Sequence, residues 1–218
     1  MTILFMTTSN FKTKLFNALT LMFVFAFIPM SVQAQTGEQK APDQVVKDTV
    51  DAIVSNIQAN RAVYQKDSQE LFKMVEETLV PGLHIPRMAK LVLGREAAKN
   101  STAEQRAAFA AEFQTFLINV YAPALLEYTG NEKVTYEDTD LSNGKDKVKI
   151  NGSLTASNGQ VYPIVLSMSN RGDTRWRAFN MEIAGIDFVR TYRSSFEPIL
   201  AKKGIDGLIA DLREKNSK

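Results

Sequence analysis

The sequence predicts an α+β protein with N-terminal helices, a curved antiparallel sheet of about four strands and C-terminal helices. Three observations lead to this prediction. Apolar residues recur at helical spacing from residue 42 to about residue 129, they alternate with polar residues from about 133 to 183, and helical spacing then returns. This order, in which helices precede and follow a set of hairpin-linked strands, is typical of an α+β fold whose antiparallel sheet is covered on one face.

The first 34 residues are predicted to be a cleaved signal peptide. Two lysines and no acidic residue accompany an apolar run over residues 15–28, and small or apolar residues lead to a cleavage site after Ala34. An uncleaved anchor is the alternative, but the run is shorter than the roughly 20 residues of a membrane-spanning helix. We therefore expect a single exported domain over residues 35–218, and no second apolar run long enough to span a membrane. Either Met1 or Met6 could be the start.

The composition excludes several classes of function. Removal of the two leader lysines brings the 26 basic residues level with the 24 acidic ones, so the exported chain lacks the basic excess of a nucleic-acid-binding protein. The chain has no cysteine, which excludes thiol catalysis, zinc–thiolate sites and disulfides. His84 is its one histidine, and we find no G-x-S-x-G, phosphate-loop, dinucleotide-binding or metal-ligand motif. No catalytic residue, metal site or cofactor is predicted.

Four helices are predicted before the sheet. The first begins at Pro42, a residue tolerated at the first helical position. The second covers about residues 68–79, and the third stops at Gly94, which can adopt a left-handed conformation. The fourth begins in the sequence STAE, where we assign Ser101 as the N-cap and Glu104 as its partner in a capping box.

The fourth predicted helix has an aromatic face. Pro123 removes one backbone hydrogen bond and is expected to kink the helix. Taken alone, such a face is more often the core contact of an amphipathic helix than the wall of a cavity. The residues spaced three or four apart on this face are Phe109, Phe113, Phe116, Leu117, Val120, Tyr121, Ala124 and Tyr128.

Four strands with tight connections are predicted next. They cover residues 133–141, 147–155, 161–169 and 175–183. Asn158-Gly159 is a strong two-residue hairpin signal. We interpret Gly152 as a mid-strand bulge, because a turn there would leave two very short strands. The face of the sheet that must be buried includes Val148, Ile150, Ile164, Leu166 and Met168.

The C-terminal region is predicted to be helical, with a break at Gly204 and a short terminal helix after it. The apolar stripe before the break consists of Phe188, Val189, Tyr192, Phe196, Ile199 and Leu200.

Three stretches carry a resemblance to a known family. They are LVLGREAAKNSTAEQRAAFAAEFQTFLINVYAPAL at 91–125, SNGQVYPIVLSMS followed by WRAFNMEIAGI at 157–186, and TYRSSFEPILAKKGIDGLIADL at 191–212. In this order they resemble the MlaC, or toluene-tolerance, family of periplasmic phospholipid-binding proteins. The chain departs from the family pattern at Asn180, where an aspartate is expected, and at Asp187, where a serine is expected.

The resemblance implies that residues 35–218 form one MlaC-like lipid-binding domain whose helices and sheet enclose an apolar pocket. It implies a monomeric phospholipid carrier, without catalytic activity, in the periplasm of a Gram-negative cell. Such carriers shuttle phospholipids between the outer-membrane Mla lipoprotein complex and the inner-membrane Mla ABC transporter, which maintains outer-membrane lipid asymmetry. The residues then expected to contact the acyl chains are Phe109, Phe113, Phe116, Leu117, Tyr121, Val148, Ile150, Ile164, Leu166, Met168, Phe179, Met181, Phe188 and Tyr192.

Two functions of other classes stay open. One is a small-molecule enzyme of a cone-shaped α+β fold with a pocket acid such as Asp187 as its base, although a single histidine and no clear acid pair argue against it. The other is a protein-interaction module with a filled core and no ligand.

Overall fold

The computed structural model describes residues 40–139, 141, 146–172 and 174–217. Within these residues, five α-helices, two short 3₁₀ helices and a five-stranded antiparallel sheet follow one another in the predicted order. The α+β prediction is therefore confirmed. The predicted signal peptide, residues 1–34, lies outside the described part of the chain.

The helices begin and end close to the predicted positions. They are α1 (Pro42–Lys66), α2 (Ser68–Thr78), α3 (Ile85–Asn100), α4 (Ala103–Tyr121) and α5 (Phe188–Asn216), with 3₁₀ helices at Val80–Gly82 and Ala122–Glu127. α1 has its proline in the first turn, as expected. Gly94 and Gly204 have φ angles of 76° and 67° and break α3 and α5. Each predicted stop is thus a bend between two helical segments.

The capping box of α4 lies one residue later than predicted, so the assignment of Ser101 and Glu104 was wrong. The Thr102 hydroxyl accepts the backbone N–H of Gln105 at 3.1 Å, and the Gln105 side chain accepts the N–H of Thr102 at 3.0 Å. Ser101 donates its hydroxyl to the carbonyl of Ala97 instead. The sequence STAEQ contains two overlapping matches to the capping-box pattern, and the pattern alone does not choose between them.

α4 ends at Tyr121 and does not continue through the predicted kink. Pro123 lies in the first turn of the following 3₁₀ helix, where its missing N–H is tolerated. Arg61 of α1 donates hydrogen bonds to the carbonyls of Leu126 and Tyr128 and so holds the end of this segment against α1. The proline therefore changes the type of helix at this point.

The sheet has one strand more than the approximately four predicted. The strands are β1 (Lys133–Tyr136), β2 (Lys147–Thr155), β3 (Val161–Ser169), β4 (Arg177–Ile183) and β5 (Ile186–Asp187), in the order β1-β2-β3-β4-β5 with every neighbouring pair antiparallel. β1 is shorter than predicted, and β4 begins two residues later. β5 is only two residues long, too short to show an alternating pattern in the sequence.

Gly152 is a regular position of the sheet, so the predicted bulge at this residue is wrong. It pairs with Tyr136 of β1 and with Ile164 of β3 without interruption. A Cβ atom at this position would collide with the backbone carbonyl oxygen of Thr135. Close approach of the neighbouring strand, and not a bulge, therefore explains the glycine.

A β-bulge occurs in β4 instead. The β3–β4 register shifts between Ser167 and Met168, which leaves Phe179 as the extra residue of β4. As a consequence Ala178 and Met181, three residues apart, both face the space between the sheet and the helices. The alternation of inward and outward side chains along β4 is therefore interrupted at the bulge. A period-two pattern that is correct before the bulge is wrong after it.

The core consists of three hydrophobic clusters. The first joins α3, α4 and α5, the second joins α1, α2 and the 3₁₀ helix Ala122–Glu127, and the third joins α1 to the inner face of the sheet. Members of all three clusters surround one cavity.

The stretch Ala103–Glu127 is long and apolar enough, by length and composition alone, to cross a membrane. This differs from the expectation that no such stretch follows the leader. In the structure Phe109 and Phe113 of this stretch are fully buried against α3 and α5, and its last six residues form a 3₁₀ helix. Packing of this kind accounts for the apolar residues on one face of the helix.

Candidate functional site

A cavity of about 430 Å³ lies between the helices and the inner face of the sheet. Its volume falls within the range of roughly 300–1,000 Å³ that is usual for small-molecule sites. The lining is mainly aliphatic, and its polar members are Thr49, Gln114, Tyr121, Tyr136 and Asn180. Such a cavity offers a large dry surface with few directional contacts, which suits a hydrocarbon chain better than a polar substrate.

Two helical stripes form one wall of the cavity. α1 presents Val46, Val50 and Ile53, which are three or four residues apart and therefore share a face. The second stripe runs along α4 and into the 3₁₀ helix, and it consists of Gln114, Leu117, Ile118, Tyr121, Ala122 and Leu125.

The sheet forms the opposite wall. Its contribution comes from four strands: Val134 and Tyr136 of β1, Leu154 of β2, Ile164, Leu166 and Met168 of β3, and Ala178, Asn180 and Met181 of β4. Side chains between these two walls complete the lining, among them Val75, Leu79, Leu83, Ile85, Met88 and Phe188.

The structure brings half of the predicted site residues together in this cavity. Those that line it are Leu117, Tyr121, Ile164, Leu166, Met168, Met181 and Phe188. Those that lie outside its lining are Phe109, Phe113, Phe116, Val148, Ile150, Phe179 and Tyr192.

The three phenylalanines of α4, Phe109, Phe113 and Phe116, pack against α5 and lie outside the cavity lining. Phe109 and Phe113 have no exposed surface, and their rings stack with centroids 5.6 Å apart. Phe113 also meets the rings of Tyr192 and Phe196 edge-on at 5.4 and 6.0 Å. α4 therefore has two adjacent stripes, one filling the core with aromatic rings and the other lining the cavity, and Leu117 belongs to both surroundings.

Three further predicted residues contribute to packing beside the cavity. Phe116 meets Tyr192 edge-on at 5.8 Å at the border of the aromatic core. Ile150 is 1% exposed and, with Val148 near it, packs in the cluster that joins the sheet to α1 and contains Trp176. The cavity reaches their cross-strand partners on β3, Met168 and Leu166, but not these two residues of β2.

Phe179 lies outside the cavity lining because of the bulge in β4. Strict alternation would place its side chain beside that of Met181, but the extra residue interrupts the alternation. The guanidinium carbon of Arg87 lies 3.7 Å from the centroid of the Phe179 ring, a cation–π contact.

Sequence reasoning missed the contribution of α1 to the cavity. The helical spacing of Val46, Val50 and Ile53 identifies a buried face, but spacing cannot tell whether that face meets side chains or empty space. Leu125 was missed for a related reason. The prediction of site residues on this helix followed its aromatic stripe, and Leu125 belongs to the other stripe.

Asn180 and Asp187, the two positions that depart from the family pattern, contact each other. The Asn180 amide donates to the Asp187 carboxylate at 2.7 Å and accepts the backbone N–H of Val189 at 3.1 Å. The other carboxylate oxygen of Asp187 accepts the N–H of Arg190 at 2.8 Å and caps α5. The two residues therefore join β4 to the start of α5 beside the cavity.

We expect Asn180→Asp to lower the free energy of unfolding by roughly 1–3 kcal/mol at neutral pH, because a second carboxylate would replace the amide that donates to Asp187. Changing Asp187 to serine in the same protein should recover most of the loss. Thermal melting of the two single variants and the double variant measures this coupling. Equal losses that simply add in the double variant would contradict the proposed contact.

Two tyrosine hydroxyls meet at the edge of the cavity. The hydroxyl oxygens of Tyr121 and Tyr192 are 2.9 Å apart, and the ring of Phe188 lies beside both, 6.0 and 4.8 Å between centroids. Tyr121 lines the cavity and is also 48% exposed, so the cavity wall reaches the protein surface there. Burial, followed by the hydrogen bond with Tyr121, raises the pKa of Tyr192.

Tyr136 is a second tyrosine of the cavity wall. Burial raises the pKa of Tyr136 to about 12, with a smaller contribution from the negative charge of Asp51, so its hydroxyl stays protonated. Among the described residues, no group of three or more histidine, aspartate or glutamate side chains is placed to hold a metal ion.

A sequence model of the MlaC protein family matches residues 47–214, most of the chain. The chain belongs to the MlaC family. It is 28% identical to the intermembrane phospholipid transport system binding protein MlaC of Haemophilus influenzae over 207 residues, with 94% of each chain covered. It is 26% identical to the toluene tolerance protein ttg2D of Pseudomonas putida over 186 residues, which cover 85% of this chain and 83% of that protein.

A solved structure supports the same fold for this MlaC-family chain. It is the phospholipid-binding protein from Ralstonia solanacearum in complex with a phospholipid, and it superimposes with a TM-score of 0.72. The match covers 82% of this chain and 98% of the other, at 23% sequence identity. At that identity, the likeness establishes the shared fold.

Proposed function

We propose that the protein is a periplasmic phospholipid carrier that holds acyl chains in the cavity between α1, α4 and the sheet. The observation that carries the proposal is a continuous, mainly aliphatic cavity in a chain of the MlaC family. The name of the Haemophilus influenzae relative, and the phospholipid bound to the Ralstonia solanacearum protein, support a phospholipid as the ligand. The cavity residues proposed to touch the chains include Leu117, Tyr121, Ile164, Leu166, Met168, Met181 and Phe188.

The energetics of hydrocarbon transfer explain why a carrier needs such a cavity. Two chains of about 16 carbons contain some 30 methylene groups, and exposing them to water costs on the order of 25 kcal/mol at about 0.8 kcal/mol each. A dry protein cavity and a bilayer both remove this cost. Exchange of lipid between them is therefore close to neutral in free energy, and the carrier itself does not set the direction.

We propose that the partners are the inner-membrane Mla ABC transporter and the outer-membrane Mla lipoprotein complex, and that shuttling between them maintains outer-membrane lipid asymmetry. The family membership and the absence of a phosphate-loop sequence in this chain favour a carrier driven by its partners. An enzymatic role has little support, because the hydrogen bonds of Asp187 serve to cap α5 and to hold Asn180.

Export is part of the proposal. We expect the mature protein to begin at Gln35, since the first 34 residues have the pattern of a cleaved leader. N-terminal sequencing of protein recovered from the periplasm measures this directly. A mature chain that begins at Met1 or Met6 would refute it.

Native mass spectrometry of the purified mature protein tests the carrier function. We expect a species heavier than the polypeptide by the mass of a phospholipid, which disappears after extraction with organic solvent. The head groups of the extracted lipids should follow their abundance in the membrane, because the cavity is apolar and has no compact basic motif. Protein that is free of lipid, and that takes up none from phospholipid vesicles, would contradict the carrier function and favour a binding module without a ligand.

A further inference from the structure

The end of the cavity that reaches the surface carries an unusual pair of polar groups in an otherwise apolar wall. The hydroxyl oxygens of Tyr121 and Tyr192 are 2.9 Å apart, the ring of Phe188 lies beside both tyrosine rings, and Tyr121 is half exposed. A phospholipid whose chains fill the cavity must place its polar end where the cavity meets water. The hydroxyl pair therefore lies where the junction between chains and head group is expected.

The pair has a hydrogen-bond donor to spare. When two hydroxyls bond to each other, only one of them donates, so the other keeps its O–H for a further acceptor. Three other polar side chains of the wall already donate to protein groups: Thr49 to the carbonyl of Val45, Gln114 to Glu76, and Asn180 to Asp187. Thr49 has no donor left, whereas the Gln114 and Asn180 amides each keep one N–H. What distinguishes the tyrosine pair from these groups is its position where the cavity wall reaches the surface.

Tyr136 also presents a hydroxyl to the cavity, but its surroundings suit an anion poorly. Burial, and to a smaller extent the negative charge of Asp51, raises the pKa of Tyr136, and the same carboxylate would repel a phosphate. Burial, followed by the hydrogen bond with the Tyr121 hydroxyl, raises the pKa of Tyr192, and no carboxylate contributes, so the Tyr192 hydroxyl stays protonated at neutral pH.

We propose that the Tyr121–Tyr192 hydroxyl pair is the phosphate-binding end of the cavity and donates one hydrogen bond to the phosphodiester of a bound phospholipid. The inference rests on the proposed carrier function and adds a polar recognition site to it. Every glycerophospholipid with a head-group alcohol has this phosphodiester, whichever alcohol it is. The pair therefore selects phospholipids as a class without selecting one head group.

Binding of three lipids with identical acyl chains tests the assignment: phosphatidylethanolamine, phosphatidylglycerol and the diacylglycerol that lacks phosphate. The variants are Tyr121→Phe/Tyr192→Phe, which keeps both rings, Tyr136→Phe at the other hydroxyl, and Tyr128→Phe outside the cavity lining as a matched control. The double variant should raise the dissociation constants of both phospholipids by about tenfold, the loss expected for one hydrogen bond to a charged acceptor. Diacylglycerol binding and the melting temperature should stay close to those of the wild-type protein.

The other outcomes overturn the assignment. Unchanged phospholipid binding in the double variant, or equal weakening of phospholipid and diacylglycerol, would show that the hydroxyls do not contact phosphate. A loss confined to Tyr136→Phe would place the polar end at the opposite side of the cavity. If the wild-type protein binds none of the three lipids, it is the carrier function that fails, and that result is distinct from the others.

Discussion

Replacing Leu117 with arginine is expected to abolish phospholipid retention while the fold survives. Leu117 is half-buried and lines the cavity on the α4 stripe, one turn before Tyr121 at the exposed edge. The arginine stem would occupy the space for an acyl chain, and its charged head can reach water at that edge. We expect the lipid bound per protein to fall by more than about tenfold, because the arginine side chain takes up the space of the acyl chain.

A matched substitution separates this effect from a general effect of charge on α4. Ala111→Arg adds the same side chain at an exposed position of the same helix, outside the cavity lining. Lipid per protein is measured by mass spectrometry, and the fold by circular dichroism and thermal melting. Lipid retention by Leu117→Arg equal to that of Ala111→Arg would contradict the placement of the acyl chains. If Leu117→Arg unfolds and Ala111→Arg does not, the milder variant Leu117→Gln is used to test lipid retention in its place.

Phe113→Ala is expected to cost roughly 3–5 kcal/mol of unfolding free energy, the usual loss when a buried phenylalanine is truncated. The ring has no exposed surface and contacts four other aromatic rings, those of Phe109, Phe188, Tyr192 and Phe196, with centroids between 5.4 and 6.4 Å away. Because it lies outside the cavity, a bound acyl chain cannot fill the hole. The loss should therefore be the same with and without lipid.

Urea unfolding of delipidated and lipid-loaded protein measures this difference. Phe113→Leu is the control, since it keeps most of the buried volume and should lose much less stability. A loss below about 1 kcal/mol for Phe113→Ala, or a loss that lipid restores, would mean that the aromatic stripe borders the ligand. The Leu117 and Phe113 variants together thus distinguish the two stripes of α4.

The α+β order and most element boundaries follow from features that a sequence displays directly. Helical and alternating periods locate the elements, and Pro42, Gly94 and Gly204 mark ends or bends through their own backbone preferences. The wrong predictions within the sheet depend on contacts between strands. Gly152 is required by the carbonyl of Thr135 on the adjacent strand, and a local reading of β2 contains no information about that atom.

The residues of the candidate site were harder to predict from the sequence than the fold, for two physical reasons. A buried stripe looks the same in sequence whether it meets side chains or a cavity, so Phe109 and Phe113 could not be told apart from Leu117. The β4 bulge then shifts the inward positions by one, which removes Phe179 from the cavity while Met181 stays. Both features are set by three-dimensional packing.

Photo-crosslinking with a phospholipid that has a diazirine in one acyl chain tests the position of the ligand most directly. After irradiation, the modified residues are identified by mass spectrometry of peptides. If acyl chains occupy the cavity, cross-links should fall on Leu117, Leu125, Ile164 and Met168, and Leu117→Arg should eliminate them. Cross-links concentrated on Phe109 and Phe113, or on residues outside the cavity lining, would contradict the placement of the lipid between the helices and the sheet.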